Sequence, residues 1–159
     1  MHKTEIGGVK LNLNNPIDIE NAFNSIIDVG KTHYPNADID GVIVSEMVTD
    51  GVETVLGVIN DPIFGPAVMF GLGGVFVEVL GDVTFRLAPF DITEAHRMIS
   101  EIKGIKMLHG ARGAKPSDIN SIAEALVKLS VFAHENAEKI SSIDINPFMV
   151  KPEGKGAAG

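Results

Sequence analysis

Three glycines near the middle of the chain, Gly71, Gly73 and Gly74, interrupt an apolar stretch at residues 65–89. A glycine-rich loop can bring backbone N–H groups close to an anion, because glycine has no Cβ to keep the ligand away. We therefore predict a phosphate contact at these residues. The alternative is structural, since glycines also form turns, bulges and close backbone crossings where no ligand binds.

Two oxygen-bearing side chains, Asp144 and Asn146, stand two positions apart in a strand-like stretch at residues 141–150. Alternation along a strand places both on the same face. Carboxylate and amide oxygens suit Mg²⁺, which completes its coordination with water and substrate phosphate. This spacing predicts a nucleotide–magnesium site, and a strand-end turn in which both side chains bind backbone amides is the open alternative.

Charged side chains inside apolar stretches are further candidates. Glu46 and Glu53 lie in two neighbouring β-rich runs, and because a buried carboxylate is costly unless paired, we expect at least one to line a cleft. Arg86 and Arg112 could bind phosphate or carboxylate, although a structural salt bridge is the commoner role of such arginines. The histidines show no spacing typical of a metal cluster, and His2 on these grounds belongs to a frayed terminus.

The elements that must position these residues alternate between strands and helices. Hydrophobic periodicity predicts helices at residues 16–32 and 116–136, and a third that Asp91 precedes and that ends at Gly104. It predicts strands at residues 8–13, 41–47, 52–61, 66–71, 82–87 and 141–150, with a hairpin turn at residues 48–51 and an interruption of the last strand at Pro147. We predict an α+β fold with an open mixed or antiparallel sheet backed by helices, in one domain over residues 1–159 with a flexible tail at residues 151–159.

Composition narrows the class of protein. The 159 residues are 45% hydrophobic and 21% charged, which is typical of a globular domain with a core. The net charge of −8 argues against nucleic-acid binding. The sequence has no cysteine, no apolar run long enough for a membrane span and no signal-like start, so we expect a cytoplasmic protein without thiolate chemistry and without a membrane partner.

Four stretches, taken together, point to a family. They are IGGVKLNL, the run from GVIVSEM through VETVLGVINDPIFGPAVMFGLGGVFVEVLGDVTFRLAPFD, LHGARGAKPSD, and IDINPFMV. In order and spacing they resemble the ATP-grasp region of ADP-forming (NDP-forming) acyl-CoA synthetases, of the type of the acetyl-CoA synthetase beta subunit, and more distantly the succinyl-CoA synthetase beta subunit. The similarity runs over nearly the whole chain.

The resemblance implies an ATP-grasp fold with Mg²⁺ as cofactor and ATP or ADP as substrate. It implies a share in the reaction of acyl-CoA, ADP and phosphate to give the acid, CoA and ATP through a phosphohistidine. Matched motif by motif, it assigns a hinge that contacts adenine to Ser45, Glu46 and Met47, and a carboxylate facing the nucleotide to Glu53. It assigns the phosphate loop to Gly71, Gly73 and Gly74. It also assigns a magnesium ligand to Asn146, with Asp144 as its acidic neighbour, and a phosphate relay to His2.

The match to the family is partial, because family members carry a cationic segment before this region and a strand with a second metal-binding aspartate after it. We therefore expect a partial ATP-grasp fold that needs the CoA-binding and ligase domains, or a subunit that carries them, for activity. Exposed strand edges suggest a homo-oligomer as well. The alternative is an assembly module with the same fold and no chemistry. The sequence leaves open the acyl substrate, the choice of ADP or GDP, and whether it is a natural short product.

Overall fold

A computed structural model describes residues 6–74, 77 and 80–159. Its residues group into two compact units, Met1–Val48 and Thr49–Gly159, and each is described by itself. Within the described residues, none of the helices is long and apolar enough to cross a membrane.

The first unit contains one helix, α1 (Pro16–His33). The Asn15 side chain caps it by accepting a hydrogen bond from the Asp18 N–H at 2.9 Å, and Pro16 occupies the first turn, where no N–H partner is required. The predicted helix at residues 16–32 is therefore confirmed.

The two strands predicted in the first unit, at residues 8–13 and 41–47, are wrong, since these residues have no regular secondary structure. Asn12 has a φ of 58°, a left-handed conformation that interrupts an extended run. A strand also needs a partner to bind its backbone groups, and the described part of this unit contains none. Leu11 and Ile43 accordingly remain 61% and 94% exposed.

The second unit is built on one sheet of five strands in the order β3-β2-β1-β4-β5. All described strand pairs are antiparallel, which confirms the predicted open sheet and the α+β class. The strands are β1 (Val52–Asp61), β2 (Gly65–Leu72), β3 (Val83–Leu87), β4 (Ser142–Val150) and β5 (Ala157–Ala158).

The hairpin of the sheet joins β1 to β2, and not residues 41–47 to β1 as the turn-like residues 48–51 predicted. Asp61 fixes its turn, because one carboxylate oxygen accepts the N–H groups of Ile63 and Phe64 at 2.8 and 2.9 Å. Such a side-chain turn replaces the backbone bonds that a tight hairpin would otherwise need.

Two helices, α2 (Ile92–Ser100) and α3 (Ile119–Glu135), cover one face of this sheet and form the hydrophobic core with it. Asp91 and Asp118 cap them by accepting the N–H groups of Glu94 and Ser121. The fully buried side chains of the core come from β1, β2, both helices and the end of β4: Leu56, Val58, Val68, Phe70, Leu72, Met98, Ile99, Ile122, Leu126 and Val150 are among them.

Both helices are shorter than predicted. After α2 the chain forms a 3₁₀ helix at Lys103–Met107, whose first N–H groups, of Lys103 and Gly104, are both accepted by Asp82 at 2.7 Å. Before α3, Ser117 pairs with Pro152 and the Pro116 carbonyl accepts the Glu153 N–H, so the helix cannot begin at residue 116.

The last segment, residues 151–159, contacts the sheet and α3 where the sequence predicts a flexible tail. Ala157 and Ala158 pair with Val150 and Met149 as β5. The second carboxylate oxygen of Asp118 accepts the N–H groups of Gly154 and Gly156, each at 3.0 Å. The many small residues of this segment suggested a tail. The carboxylate that binds its backbone lies 36 residues before Gly154, so the local sequence does not reveal it.

Candidate functional site

The sheet of the second unit has a face opposite α2 and α3, which we call the open face. Along β1 the residues Leu56 and Val58 point into the helix-side core, so Glu53 and Gly57 belong to the open face. Register then places Asp144 of β4 beside Gly57, and Met149 beside Glu53. The open face therefore collects polar groups from two adjacent central strands.

Asn146 lies on this face as well, at the start of a bulge in β4. Thr54 pairs with Phe148 and Leu56 with Ile145, so Asn146 and Pro147 together lie opposite a single residue of β1. Ile145 before the bulge and Phe148 after it both pack against the core. The extra residue thus lets β4 bury apolar side chains at both ends, while Asp144 and Asn146 stay exposed on one face, as their spacing predicts.

Gly73 lies directly against Glu53. Its N–H donates to the Glu53 carbonyl oxygen at 2.8 Å, and a Cβ at position 73 would stand 2.8 Å from the Glu53 Cβ and 3.2 Å from its carbonyl carbon. Such a distance is shorter than van der Waals contact allows. Gly73 is therefore required by the close approach of the chain that follows β2 to the start of β1.

The sequence suggested that these three glycines present N–H groups to an anion. The structure leaves fewer of those groups free. Gly71 lies inside β2 opposite Val55, and the Gly73 N–H is already donated to Glu53, because the β1–β2 ladder extends past the end of β2. Gly74 is the residue at which the chain leaves the ladder, with a φ of +61° that favours glycine.

A pocket of about 240 Å³ forms where β1 begins and β2 ends. Glu53 of β1 and Met107 of the 3₁₀ helix are both at this pocket. The lining residues are Gly51, Val52, Glu53, Leu72, Gly73 and Met107. Sequence analysis did not single out Met107, since a lone methionine after a predicted helix carries no pattern and reaches the pocket only through the tertiary fold.

Asp144 and Asn146 fit a magnesium ion as far as their donor atoms are concerned. Both offer exposed oxygens on one face, and Mg²⁺ commonly takes one or two such ligands together with water and phosphate oxygens. In the described part of the chain no three His, Cys, Asp or Glu residues form a metal-binding group. Water and nucleotide phosphate oxygens are the ligands that magnesium commonly adds to one or two such side chains.

The remaining predicted site residues are distributed elsewhere. Ser45, Glu46 and Met47 belong to the first unit, where they are exposed and lie outside any helix or strand. His2 lies outside the described residues, as does the side chain of Arg112, whose backbone forms part of the 3₁₀ helix Ala111–Gly113.

Arg86 forms a structural salt bridge, which the sequence analysis gave as the commoner role of such arginines. Its guanidinium group pairs with Glu94 at 2.6 Å and Glu101 at 2.7 Å. It also donates to the Phe85 carbonyl oxygen at 2.9 Å, on the outer edge of β3. The arginine thus links β3 to α2 and occupies a backbone acceptor at the sheet edge.

Asp118 is a buried carboxylate that sequence analysis did not identify. Its oxygens accept the N–H groups of Ser121, Gly154 and Gly156. The hydrogen bond from Gly156, followed by that from Ser121, holds the pKa of this carboxyl below its ordinary value of 3.8. The only sequence signal was its position before a helical pattern, which is typical of an N-cap.

Comparison with known proteins shows the family. A model of the ATP-grasp domain matches residues 1–159. The chain is 48% identical over 147 residues to the beta subunit of ADP-forming acetate–CoA ligase I of Pyrococcus furiosus, covering 92% of this chain and 63% of that protein. It is 45% identical over 156 residues to an ADP-forming 4-hydroxybutyrate–CoA ligase of Nitrosopumilus maritimus, covering 98% of this chain and 22% of that protein.

Solved structures agree with the sequence comparison. Dinucleotide forming acetyl-coenzyme A synthetase 1 of Ca. Korarchaeum cryptofilum, in complex with coenzyme A, Ca-AMPCP and HgCl+, is 45% identical and superimposes with a TM-score of 0.92 over 97% of this chain and 66% of its own. The Pyrococcus horikoshii protein PH1788 is 41% identical, with a TM-score of 0.90 over 99% of this chain and 66% of its own.

The chain thus spans between about a fifth and two thirds of the length of these relatives. The match of the family model along the whole chain, the antiparallel sheet and the similarity to solved structures agree with one another. The chain belongs to the ATP-grasp family, and it corresponds to the ATP-grasp region of ADP-forming acyl-CoA ligases.

Proposed function

We propose that this chain binds a magnesium-complexed adenine nucleotide on the open face of its sheet. In that role it is the nucleotide-binding part of a ligase that converts acyl-CoA, ADP and phosphate to acid, CoA and ATP through a phosphohistidine. The observation that carries the proposal is the arrangement of Glu53 at a pocket beside Gly73 and of Asp144 and Asn146 on the neighbouring strand.

Each group has a separate task in this proposal. Asn146 and Asp144 supply oxygens to the metal, and Glu53 faces the nucleotide from the adjacent strand. Gly73 lines the pocket and allows the close approach to Glu53, Gly74 is where the chain turns away from the sheet, and Gly71 lies in the strand that leads to them. The family resemblance assigns adenine recognition to Ser45, Glu46 and Met47, and phosphate relay to His2.

The metal would supply charge neutralisation at the nucleotide phosphates, which is what phosphoryl transfer mainly requires. The chain's own residues orient the nucleotide. The relatives support this assignment, because structures of the Korarchaeum enzyme hold Mg-AMPPCP or Ca-AMPCP, and one of them has a phosphohistidine segment that points towards the nucleotide binding site.

We further propose that full activity needs more polypeptide than these residues. In the first unit only Ala22 is a buried hydrophobic residue among those described, while Ile17, Ile43 and Val44 are 69%, 94% and 63% exposed. A unit with so little buried apolar area gains little stability by itself. The CoA-binding and ligase portions of the same enzyme are the expected partners. The proposed reaction uses acyl-CoA, ADP and phosphate, and we expect it to take place in the cytoplasm.

Thermal unfolding with and without millimolar MgADP or MgATP tests the proposal. A ligand that binds only the folded chain raises its melting temperature, by about 2–4 °C for each kcal/mol of stabilisation in a protein of this size. We expect Asn146→Ala to reduce this rise. No rise with an intact fold would contradict nucleotide binding by this chain.

Ser142→Ala is the matched control, since Ser142 is also exposed on β4, four residues from Asn146, and is not placed at the metal. It should retain the full nucleotide response. Equal responses of both variants would remove Asn146 from the site even if nucleotide binds.

The second candidate is an assembly module that keeps the fold without chemistry. The exposed apolar side chains of the first unit favour it, because they would also suit a surface that only packs against other polypeptide. A completed enzyme that forms ATP from acyl-CoA only when Asn146 is intact would exclude this candidate. Self-association through the same surface is tested by the mass of the chain in solution.

A further inference from the structure

The hairpin of the second unit carries an unusual amount of exposed apolar surface at its turn. Ile63 and Phe64 are 83% and 70% exposed, and neither side chain has a role in the core. Exposed large apolar residues that occur singly need no explanation, but a group of them marks an interaction surface. The remaining features of this turn decide whether such a group is present.

A row of apolar residues lies directly behind the turn. Register aligns Ile59 of β1, Ala67 of β2 and Leu87 of β3 across the open face, and Ile59 and Leu87 are 57% and 55% exposed. Phe85, two residues before Leu87 and hence on the same face, is 47% exposed. We call these residues, together with Ile63 and Phe64, the hairpin patch.

The patch is held in one conformation. The Asp61 carboxylate accepts the N–H groups of both Ile63 and Phe64, at 2.8 and 2.9 Å, and so fixes the turn that presents them. A surface that is ordered before binding loses less conformational entropy when a partner docks. A mobile loop of the same composition would bind more weakly.

Strand addition does not account for the patch. The neighbouring edge, β3, already has its Phe85 carbonyl oxygen bound by Arg86 and its Val83 N–H donated to Gly81. A further strand would have to displace both interactions. The occupant is therefore expected to contact side chains on the face and the turn, and not the backbone of the edge.

A second copy of this chain is a poor occupant. Asp61 borders the apolar residues of the turn, and two backbone hydrogen bonds, from Phe64 and Ile63, hold the pKa of its carboxyl below the ordinary value. A symmetric contact between two copies would bring both Asp61 carboxylates to one interface, in a complex of chains that each carry a net charge of −8. Like charges opposite one another oppose association.

The relatives indicate where a partner would come from. This chain covers 22% of the single-chain Nitrosopumilus ligase and 63% of a Pyrococcus protein that is itself a subunit. In both arrangements the matched region works beside other polypeptide of the same enzyme. That polypeptide is present at the same concentration as the region itself, which favours it over an unrelated protein.

We propose that the hairpin patch is the docking surface for the part of the ligase outside the ATP-grasp region, which would offer an apolar pocket for Phe64 and Ile63 with a lysine or arginine facing Asp61. This rests on the proposed function only for the identity of the larger enzyme. The patch lies at the turn end of β1 and β2 and the pocket at Glu53 and Gly73 lies at their other end, although Ile59 of the patch pairs with Ser142, two residues from Asp144. Docking is therefore read from labelling at position 63, and nucleotide binding is read separately from the melting temperature.

This chain has no cysteine, so an introduced thiol is the only one that it contributes. Labelling at position 63 is read from the peptide that carries it, which separates it from any thiol in the rest of a larger protein. We would place Ile63→Cys in this chain alone and in a chimera in which the chain replaces the 156 matched residues of the Nitrosopumilus ligase. The maleimide labelling rate of the thiol at position 63 should fall by about tenfold or more in the chimera. Phe132→Cys on α3, 49% exposed in this chain, is the matched comparison for reagent access.

A second substitution at the patch separates docking from a general loss of reagent access. Phe64→Lys, added to Ile63→Cys in the chimera, should raise the labelling rate at least several-fold, because it removes an apolar anchor and opposes a basic border. Phe64→Leu keeps an apolar side chain and should keep most of the protection. Both replace an exposed side chain and leave the backbone N–H that Asp61 accepts, so the turn is retained.

An unchanged labelling rate at position 63 in the chimera would overturn the proposal, and so would protection that Phe64→Lys leaves intact. A rate that falls with increasing concentration of the isolated chain would also overturn it, because the occupant would then be a second copy. A melting temperature that rises with MgADP in the same preparations shows that the proposed function holds whichever way the docking result falls.

Discussion

The Gly73 N–H donates to the Glu53 carbonyl oxygen at 2.8 Å, and this bond joins the end of β2 to the start of β1 beside a pocket of about 240 Å³. It extends the sheet ladder past the last residue of β2. The backbone of Glu53 is thereby fixed, and the residue is exposed to solvent.

Replacement of Gly73 by alanine tests that relationship. The new Cβ would lie 2.8 Å from the Glu53 Cβ and 3.2 Å from its backbone carbonyl atoms, so the two strands must separate. We expect a loss of about 1–3 kcal/mol in the free energy of unfolding, measured by urea denaturation. A Cβ at position 74 would have no atom within 4 Å, so Gly74→Ala carries only the cost of the positive φ. It should lower the free energy of unfolding by less, about 1 kcal/mol. Equal losses would show that the close approach is not what Gly73 provides.

Asp118→Asn should destabilise the chain by about 2 kcal/mol at neutral pH, because the amide nitrogen cannot accept the N–H groups of Gly154 and Gly156. The hydrogen bond from the Ser121 N–H to the N-cap side chain can be kept, since asparagine is a good N-cap residue.

The pH dependence of this loss follows from the lowered pKa of Asp118. A carboxyl with a folded pKa below its unfolded value of 3.8 contributes its stability above that value and loses it as pH falls through the folded pKa. The difference in unfolding free energy between the natural chain and Asp118→Asn should therefore be constant from pH 7 to about pH 5 and shrink below about pH 4. A difference that grows on acidification would contradict the assignment.

Arg86→Met should lower stability by about 1 kcal/mol at low salt, since it removes two ion pairs and uncovers the Phe85 carbonyl oxygen at the sheet edge. The loss should be smaller in 1 M salt because ionic screening weakens the pairs. Arg97→Met is the control, because Arg97 is 63% exposed and pairs with Glu94 alone. The account fails if Arg97→Met costs as much as Arg86→Met.

Deletion of Pro147 should cost more than any of these substitutions, by about 3 kcal/mol or more. Without the extra residue β4 must expose either Ile145 or the pair Phe148 and Val150, and Val150 is fully buried. Asn146→Ala keeps the number of residues and alters an exposed side chain, so it should stay within about 0.5 kcal/mol of the natural chain. Similar unfolding midpoints for the deletion and Asn146→Ala would show that β4 does not depend on the bulge.

The sequence predicted best what local pattern determines. Helix α1 follows from Asn15, Pro16 and its apolar spacing, and α2 begins one residue after its predicted cap at Asp91. The open antiparallel sheet was also predicted, although its hairpin was placed at residues 48–51 and not between β1 and β2. Placement of Asp144 and Asn146 on one face was also correct, although it holds only because the bulge comes after Asn146.

The failures arise where distant residues decide the structure. The strand patterns at residues 8–13 and 41–47 lack a partner in the described chain, and periodicity alone cannot supply one. The three glycines suggested an N–H cradle, but the Gly73 N–H is already taken by Glu53, 20 residues away in sequence. Met107 and Asp118 reach their positions through tertiary contacts that no local motif encodes.

Chemical-shift mapping of the ¹⁵N-labelled chain during titration with MgADP tests the central claim most directly. The account predicts that the largest shifts cluster at Glu53, Gly73 and Gly74, and at Asp144 and Asn146 on the neighbouring strand, and that the β4 shifts weaken when magnesium is left out. Shifts that cluster instead around Asp82, Lys103 and Gly104, which line a second pocket of about 220 Å³, or no shifts at millimolar MgADP, would contradict it.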